Sequence, residues 1–206
     1  MVFEGPDGSG KSTQLKTLGA LCKAQGLKVV EARDPGGTFI GEEIRDVLLK
    51  RRDDSAGAAD MAVRCETMLF MASRAQLVDE VIRPARSRGE VVLGDRFVPS
   101  TLAYQGAAGG MTRDEIEAAA KVACGDVRPD VVLVFDVDEA TAARRLNPLL
   151  DRMEAKGAAF HKKVREGYLA QAKERPDEFV VIDARGNADQ VTGLMLAALK
   201  ARVEKW

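Results

Sequence analysis

Residues 3–13 read FEGPDGSGKST, and this stretch decides the fold class. It contains G-x-x-x-x-G-K-[ST], the phosphate-binding loop that joins a strand to a helix. The glycines let backbone N–H groups converge on phosphate oxygens, and the following helix directs its positive N-terminus at the same point. Lys11 would contact the β- and γ-phosphates, and Ser12 would coordinate Mg²⁺. We therefore predict a triphosphate site formed by Gly5, Gly8, Ser9, Gly10, Lys11, Ser12 and Thr13.

Asp7 is unexpected in this loop, because it places a negative charge where the ligand is negative too. A carboxylate here can stabilise the turn by bonding to its own backbone. It can also turn toward a second ligand and accept a charge-assisted hydrogen bond from it. The residues alone leave both possibilities open.

Apolar periodicity outside the loop alternates between strand and helix patterns. Strands are predicted at residues 1–4, 27–32, 90–95, 131–137 and 179–182. Helices are predicted at residues 11–25, 40–49 and 58–86, from the Thr112/Glu115 capping box to Gly125, after Asp138, and from Asn187 onward. The last helix has an apolar stripe at Val191, Leu194, Met195, Ala198 and Leu199. This alternation implies right-handed crossovers and a parallel sheet with helices on both faces. We expect one α/β domain over residues 1–206, with the three-layer P-loop NTPase fold, five parallel strands and a short lid.

The balance of charge argues against two classes of binding protein. The chain has 31 basic and 32 acidic residues, whereas a general nucleic-acid or membrane-surface binder needs an excess of basic charge. The three cysteines are far apart and form no C-x-x-C pair, so we expect a reduced, cytoplasmic compartment and neither a disulfide framework nor a zinc site. No apolar run approaches the ~18 residues of a membrane span. We also expect no signal peptide, because the chain begins almost inside its first strand.

Asp95 ends the buried strand pattern of residues 90–95. In parallel sheets the ligand lies beyond the carboxyl ends of the strands, where the phosphate loop is also expected. Asp95 is therefore predicted to hold Mg²⁺ through a water molecule. A helix cap or an ion pair with Arg96 is the alternative.

The phosphate loop alone does not choose between a switch, a motor and a kinase. The chain has no N-K-x-D base-reading motif of guanine-nucleotide switches, and 206 residues leave no room for the extra domains of a motor. A kinase with a second substrate is favoured, and a nucleotide-binding module without transfer activity stays open.

Further motifs resemble those of the thymidylate kinase family. They follow in order over essentially the whole chain: the phosphate loop, RDPGGT at 33–38, LFMASR at 69–74, GDRF at 94–97, STLAYQG at 100–106, RPD at 128–130 and DRME at 151–154. The DRF and AYQG elements are much more specific than the phosphate loop. The resemblance, to the bacterial type, implies phosphoryl transfer from ATP to dTMP for dTTP synthesis, with Mg²⁺, in a homodimer. Another pyrimidine nucleotide or nucleoside kinase is the alternative.

The resemblance also implies an acceptor site formed by Asp7, Arg45, Phe70, Arg74, Arg96, Ser100, Thr101, Tyr104 and Gln105. In this interpretation Asp7 accepts a hydrogen bond from the 3′-hydroxyl, and Arg45 and Arg96 grip the phosphate. Phe70 stacks on the base, and Arg74, four residues later on the same helix face, donates to its carbonyl edge. Tyr104 packs where a 2′-hydroxyl would be, and Ser100 and Thr101 contact the base.

The residues alone leave less specific interpretations open at these positions. Tyr104 and Gln105 are predicted to lie on the loop after the third strand. Phe70 and Tyr104 could instead be core residues. Arg74 could pair with Glu66 or Asp79, and Arg33 and Arg45 could be surface arginines. Ser100 and Thr101 could satisfy a turn.

The catalytic residues implied by the resemblance are Lys11, Arg33, Asp95, Arg145 and Arg152. The phosphate loop has no arginine, so a cation is expected from a lid at about residues 144–154, where Arg144 is a further candidate. Residues 145–151 read RLNPLLD, which is short and apolar where the family has an arginine-rich loop. Ordinary surface charge is therefore the alternative for these arginines. We assign no general base, since the attacking phosphate oxygen is already deprotonated near neutral pH.

Overall fold

The structure is a computed structural model, and it describes residues 1–50, 60–145 and 151–202. The described residues form a five-stranded parallel sheet with the order β2-β3-β1-β4-β5. Its strands are β1 Val2–Glu4, β2 Val29–Arg33, β3 Val91–Asp95, β4 Val132–Asp136 and β5 Phe179–Asp183. The predicted α/β class and the five parallel strands are confirmed.

Helices separate successive strands and cover both faces of the sheet. Their bounds are α1 Lys11–Ala24, α2 Phe39–Leu49, α3 Val63–Leu77, α4 Arg83–Ser87, α5 Val98–Thr101, α6 Arg113–Cys124, α7 Glu139–Arg145, α8 Ala158–Glu174 and α9 Ala188–Arg202. Shorter segments are a π-helical turn at Val78–Ile82, a second at Leu102–Ala107 and a 3₁₀ turn at Glu154–Lys156.

Capping side chains fix the start of three helices as the sequence predicts. Thr112 and Glu115 form the complete capping box of α6. The carboxylate of Asp138 accepts from the backbone N–H of Thr141 at 2.9 Å, at the start of α7. Asn187 and Gln190 exchange side chain–backbone bonds of 3.0 Å before α9. Each signal is local, which is why it can be read from the sequence.

Two predictions about helices are wrong in part. Residues 58–59 lie outside the described residues and 60–62 are not helical, so the long helix predicted at 58–86 begins at Val63. It continues through the first π-helical turn into α4 and ends at Ser87. In α9, Val191, Met195 and Leu199 are buried, but Leu194 is 49% exposed. The buried side chains are four residues apart and lie on one face of the helix, whereas Leu194, three residues after Val191, lies at the edge of that face.

The two faces of the sheet have different helical covers. Helices α1 and α9 pack on the face that carries Phe3 and Phe135. Helices α3 and α6 and the π-helical turn Val78–Ile82 pack on the face that carries Val2. Helix α8 covers Val132 and Val134 on the same side. Because side chains alternate along a strand, Glu4 shares the face of Val2 and is fully buried.

Within the described residues, no helix is long and apolar enough to cross a bilayer.

Candidate active site

The phosphate loop follows β1 and leads directly into α1. Gly5 has φ 135°, and a Cβ there would lie 2.5 Å from the carbonyl oxygen of Phe135 on β4, so only glycine fits. Across the described residues, no side chain caps the start of α1, and its first turn has no acidic residue. The unsatisfied N–H groups and the positive end of the helix are therefore free to bind an anion.

Asp7 bonds to cations of the site rather than to its own backbone. Its carboxylate accepts from the Arg96 guanidinium and, at 2.7 Å, from the hydroxyl of Tyr104. The Nζ atom of Lys11 lies 3.6 Å from it. Burial favours the neutral acid, but the charges of Arg96 and Lys11 outweigh burial and lower the pKa of Asp7. Asp7 therefore stays ionised and neutralises two cations in the phosphate-binding region.

Ser12 and Asp95 lie together at the carboxyl edge of the sheet. The Ser12 hydroxyl donates to Asp95 Oδ2 at 2.9 Å. Arg96 bonds instead to Asp7, so the alternative of an ion pair between Asp95 and Arg96 is wrong. Among the residues described, no group of three or more His, Cys, Asp or Glu side chains could hold a metal ion. A hydroxyl and a carboxylate nevertheless fit Mg²⁺, which takes oxygen ligands and completes its shell with waters and phosphate oxygens.

All nine residues predicted to bind the acceptor line one cavity of about 90 Å³. Asp7 and Arg96 lie where this cavity meets the phosphate loop. The rest of the lining consists of Asp34, Pro35, Leu49, Asp151 and Met153. The fold thus places a cavity lined by three arginines beside the predicted triphosphate site.

Arg74 is buried and pairs with neither Glu66 nor Asp79, so that interpretation is wrong. Its Nε donates to Asp34, and its Nη2 donates to Thr101 Oγ1 at 3.0 Å and to the carbonyl of Phe97 at 3.3 Å. Its Nη1 contacts the thioether sulfur of Met71, which is a weak acceptor. Nη1 is therefore the donor that a ligand in the cavity can use best.

Arg45 and Arg33 differ in how firmly they are held. Arg45 is half-buried and donates to the carbonyl oxygen of Pro35 at 2.9 Å; burial and the charge of Arg33 lower its pKa. Arg33 is exposed, and its Nη2 lies 2.7 Å from both carboxylate oxygens of Glu42. The surface interpretation thus describes Arg33 in this structure, and its role beside the transferred group stays a prediction.

Comparison with known proteins identifies the family. The thymidylate kinase family model matches residues 3–193. The chain belongs to the thymidylate kinase family. It is 45% identical to a thymidylate kinase of Bifidobacterium longum subsp. infantis over 92% of this chain and 80% of that relative. It is 43% identical to one from Thermosipho africanus over 100% and 97%.

A solved structure of the family confirms the fold class. The crystal structure of thymidylate kinase from Ehrlichia chaffeensis superimposes with a TM-score of 0.75 at 30% identity, covering 97% of this chain and 95% of that one. The resemblance read from the motifs is therefore confirmed.

Tyr104 and Gln105 belong to a π-helical turn that continues α5, so the loop predicted for them is wrong. Gly106, Gly109 and Gly110 favour a loop in the sequence, but Ala103 and Tyr104 pack in the core beneath α8 and draw the segment into helical geometry. Tyr104 faces Asp7, while Gln105 Nε2 donates to Glu66 at 2.8 Å.

The lid that the family places near residues 144–154 is described only in part, since residues 146–150 lie outside the described residues. Arg145 ends α7 and donates to the carbonyls of Ala184 at 2.8 Å and of Arg185 and Gly186 at 3.1 Å. Arg152 lies 2.6 Å from the carboxylate of Glu66 and is mostly buried. The alternative that Arg152 is an ordinary surface arginine is therefore wrong. The catalytic roles predicted for both stay predictions.

Three residues that the sequence analysis did not assign to the site contact its side chains, namely Glu4, Asp34 and Tyr168, and Glu66 pairs with a different arginine from the one considered there. Glu4 accepts from the N–H of Phe97 and from the hydroxyls of Ser100 and Tyr168, whereas Asp34 and Glu66 pair with Arg74 and Arg152. Signals existed for Glu4, which is a charged residue inside a strand pattern, and for Asp34, which lies in the RDPGGT motif. The other partners are distant in sequence and show no local pattern.

Proposed function

We propose that this chain transfers the γ-phosphoryl group of ATP to dTMP, giving ADP and dTDP for dTTP synthesis. The observation that carries the proposal is the single cavity formed by all nine predicted acceptor residues, next to the phosphate loop. Membership of the thymidylate kinase family supports the identity of both substrates. We further propose that residues 1–206 form a single domain. The one five-stranded sheet with helices on both faces supports this organisation.

The donor side positions and neutralises the triphosphate. The N–H groups at the start of α1 and the charge of Lys11 hold the phosphate oxygens, which favours the charge distribution of the transition state. Ser12 and Asp95 are the residues that would hold Mg²⁺, and the ion would neutralise charge on the phosphates when bound. Because the acceptor phosphate is already ionised near neutral pH, no side chain has to remove a proton from it.

The acceptor side distinguishes a pyrimidine deoxynucleotide by its polar contacts. Arg45 and Arg96 hold the monophosphate, which a neutral nucleoside lacks. Phe70 stacks on the base, and Arg74 Nη1 donates to a base carbonyl because its other nitrogens are engaged. Tyr104 fills the space of a 2′-hydroxyl. Its hydroxyl also donates to one oxygen of Asp7, and the remaining lone pairs of that carboxylate can accept from the 3′-hydroxyl.

We further propose that the protein is a cytoplasmic homodimer. It binds ATP and dTMP, and it binds neither nucleic acid nor a membrane. Exposed apolar side chains on three helices support the dimer: Phe39 on α2 is 77% exposed, Met68 on α3 is 59% exposed and Val122 on α6 is 89% exposed. The near-zero net charge supports the absence of a nucleic-acid or membrane partner.

A coupled assay of ADP release across nucleoside monophosphates tests the function. We expect dTMP to be used best, ribonucleotides poorly and neutral thymidine not at all. Arg45→Ala should raise KM for dTMP by about tenfold, as expected for a lost phosphate contact. Arg64→Ala is the matched control, because the Arg64 side chain on α3 is 83% exposed.

Two results of this assay would contradict the proposal. ATP binding without ADP release on addition of any monophosphate would indicate a binding module. Equal use of thymidine and dTMP would indicate a nucleoside kinase and remove the role given to Arg45 and Arg96.

A further inference from the structure

Arg96 has an unusual backbone conformation in the middle of the proposed acceptor site. Its φ is 70°, and among the described residues it is the only one besides glycine with a positive φ. Left-handed geometry costs an ordinary residue about 1 kcal/mol or more. Such a conformation persists only where the surrounding contacts enforce it, so the neighbours of Arg96 must hold its backbone as well as its side chain.

The buried carboxylate of Glu4 holds the backbone directly after Arg96. Glu4 Oε1 accepts from the N–H of Phe97 at 2.7 Å. The peptide that carries this N–H is the one joining Arg96 to Phe97, so the bond fixes its orientation. Glu4 lies at the end of β1, which the sheet holds from both sides. The rigid sheet thereby enforces the strained conformation.

The same carboxylate holds the guanidinium through two hydroxyl groups. Glu4 Oε2 accepts from Ser100 Oγ at 2.6 Å and from Tyr168 OH at 3.0 Å. Arg96 Nη1 in turn donates to Ser100 Oγ at 3.1 Å and to Tyr168 OH at 2.9 Å. Burial raises the pKa of Glu4 to about 7, so above that pH the carboxylate is ionised and only accepts; the two hydroxyls can then donate to it and keep lone pairs for Arg96.

We propose that Glu4 is a positioning residue that fixes both the backbone and the guanidinium of Arg96 for the acceptor phosphate. The inference rests on the proposed function for the identity of that phosphate. Nη1 is engaged by the hydroxyls and the carbonyl of Gly5, whereas Nη2 faces Asp7 and Tyr104 at the cavity. Glu4 thus anchors one side of the guanidinium and leaves the other toward the cavity.

The variant Glu4→Gln keeps the size of the side chain and reverses the hydrogen bonding on one side. Its amide oxygen can still accept from Phe97, but its amide nitrogen can only donate to the hydroxyls. Each hydroxyl that accepts from the new amide group loses a lone pair that Arg96 uses. At about pH 8.5, where Glu4 is ionised, the expected result is a rise in KM for dTMP of about tenfold, with KM for ATP changed by less than about twofold. Tyr168→Phe, which removes one link, should give a smaller rise in the same constant.

Asp136→Asn is the matched control. Asp136 ends the neighbouring strand β4 and its carboxylate is paired with Arg165 at 2.6 Å, outside the contacts of Arg96. This variant should leave KM for dTMP unchanged. A rise equal to that of Glu4→Gln would mean that any lost carboxylate at the sheet edge has this effect, and would overturn the specific role of Glu4.

A double-mutant cycle separates positioning from general disturbance. In the background of Arg96→Lys, which keeps the charge and loses the fork, Glu4→Gln should change KM for dTMP by less than about twofold. Full additivity of the two substitutions would overturn the proposal. If the unaltered enzyme used no monophosphate, the proposed function would fail by itself. The same cycle measured by melting temperature would then decide whether the two residues are coupled, with additive shifts refuting the inference.

Discussion

Replacing Glu4 by Gln is expected to change the stability of the protein in a pH-dependent way. Burial, only partly offset by Arg96 and by the bonds from Ser100, Phe97 and Tyr168, raises the pKa of Glu4 from 4.5 to about 7. Lys11 is the other cation that faces this carboxylate. The folded state therefore keeps the proton of Glu4 at pH values where the unfolded chain has lost it. Stability then falls as pH rises from 4.5 toward 7, and the full cost is present above that range.

Glutamine cannot ionise, so the variant avoids this cost. A pKa difference between 4.5 and about 7 corresponds to about 3 kcal/mol of unfolding free energy well above neutrality. Between about pH 5.5 and about pH 8.5, the stability of Glu4→Gln relative to the unaltered protein should increase by about 2 kcal/mol. Any constant difference in packing or hydrogen bonding between the two side chains cancels in this comparison.

Urea unfolding of both proteins at these two pH values measures the change directly. Since other titrating groups contribute equally to both proteins, the difference between them isolates Glu4. A difference in unfolding free energy that stays constant within about 0.5 kcal/mol over the range would refute the reasoning. Greater stability together with a higher KM for dTMP would show that Glu4 is retained for the site at a cost to the fold.

Three further perturbations test other parts of the site. Lys11→Ala should lower kcat by about a thousandfold or more, because a phosphate charge contact is lost, with circular dichroism unchanged; near-normal turnover would exclude the phosphate-loop assignment. Tyr104→Ala should raise kcat/KM for UMP relative to dTMP by about tenfold, whereas Tyr104→Phe keeps the ring and should retain the preference; an unchanged ratio in the alanine variant would remove its role against the 2′-hydroxyl. Glu66→Gln should cost about 3 kcal/mol in chemical denaturation, because Arg152 and Lys156 lose a buried counter-charge. Glu31→Gln, at an exposed ion pair, should cost less than about 1 kcal/mol, and equal losses for both would contradict the importance of burial.

Features encoded within a few neighbouring residues were predictable from the sequence. The phosphate loop, the capping box of α6 and the caps of α7 and α9 each depend on groups at most a few residues apart. Strand identity followed equally well, because buried parallel strands form continuous apolar runs between helices. The composition of the acceptor cavity came from the family motifs and not from periodicity.

Contacts between distant residues were not predictable in the same way. Glu4 and Tyr168 are 164 positions apart, and Arg96 and Asp7 are 89 apart. No periodic pattern indicates which cation will meet which carboxylate once the strands are aligned. The two π-helical turns were not predictable for a related reason. Helices are recognised in a sequence by the α-helical period, whereas a locally wider turn is imposed by packing.

Two carboxylates, Asp7 and Glu4, lie close to the cations of the proposed anion-binding site. They are needed because the cations are buried even when no anion is bound. Arg96 and Lys11 are largely withdrawn from solvent, and an unpaired buried charge is destabilising by several kcal/mol. Asp7 offsets that cost from the cavity side by pairing with both cations. Glu4 acts on Arg96 from the sheet side, where the hydroxyls of Ser100 and Tyr168 separate the two charged groups. In the proposed function, an arriving phosphate would compete with Asp7 for Arg96 and would leave the Glu4 network in place. Asp7 is therefore an exchangeable counter-charge and Glu4 a fixed anchor. This division explains why Arg96 has two carboxylates near it in a proposed phosphate site.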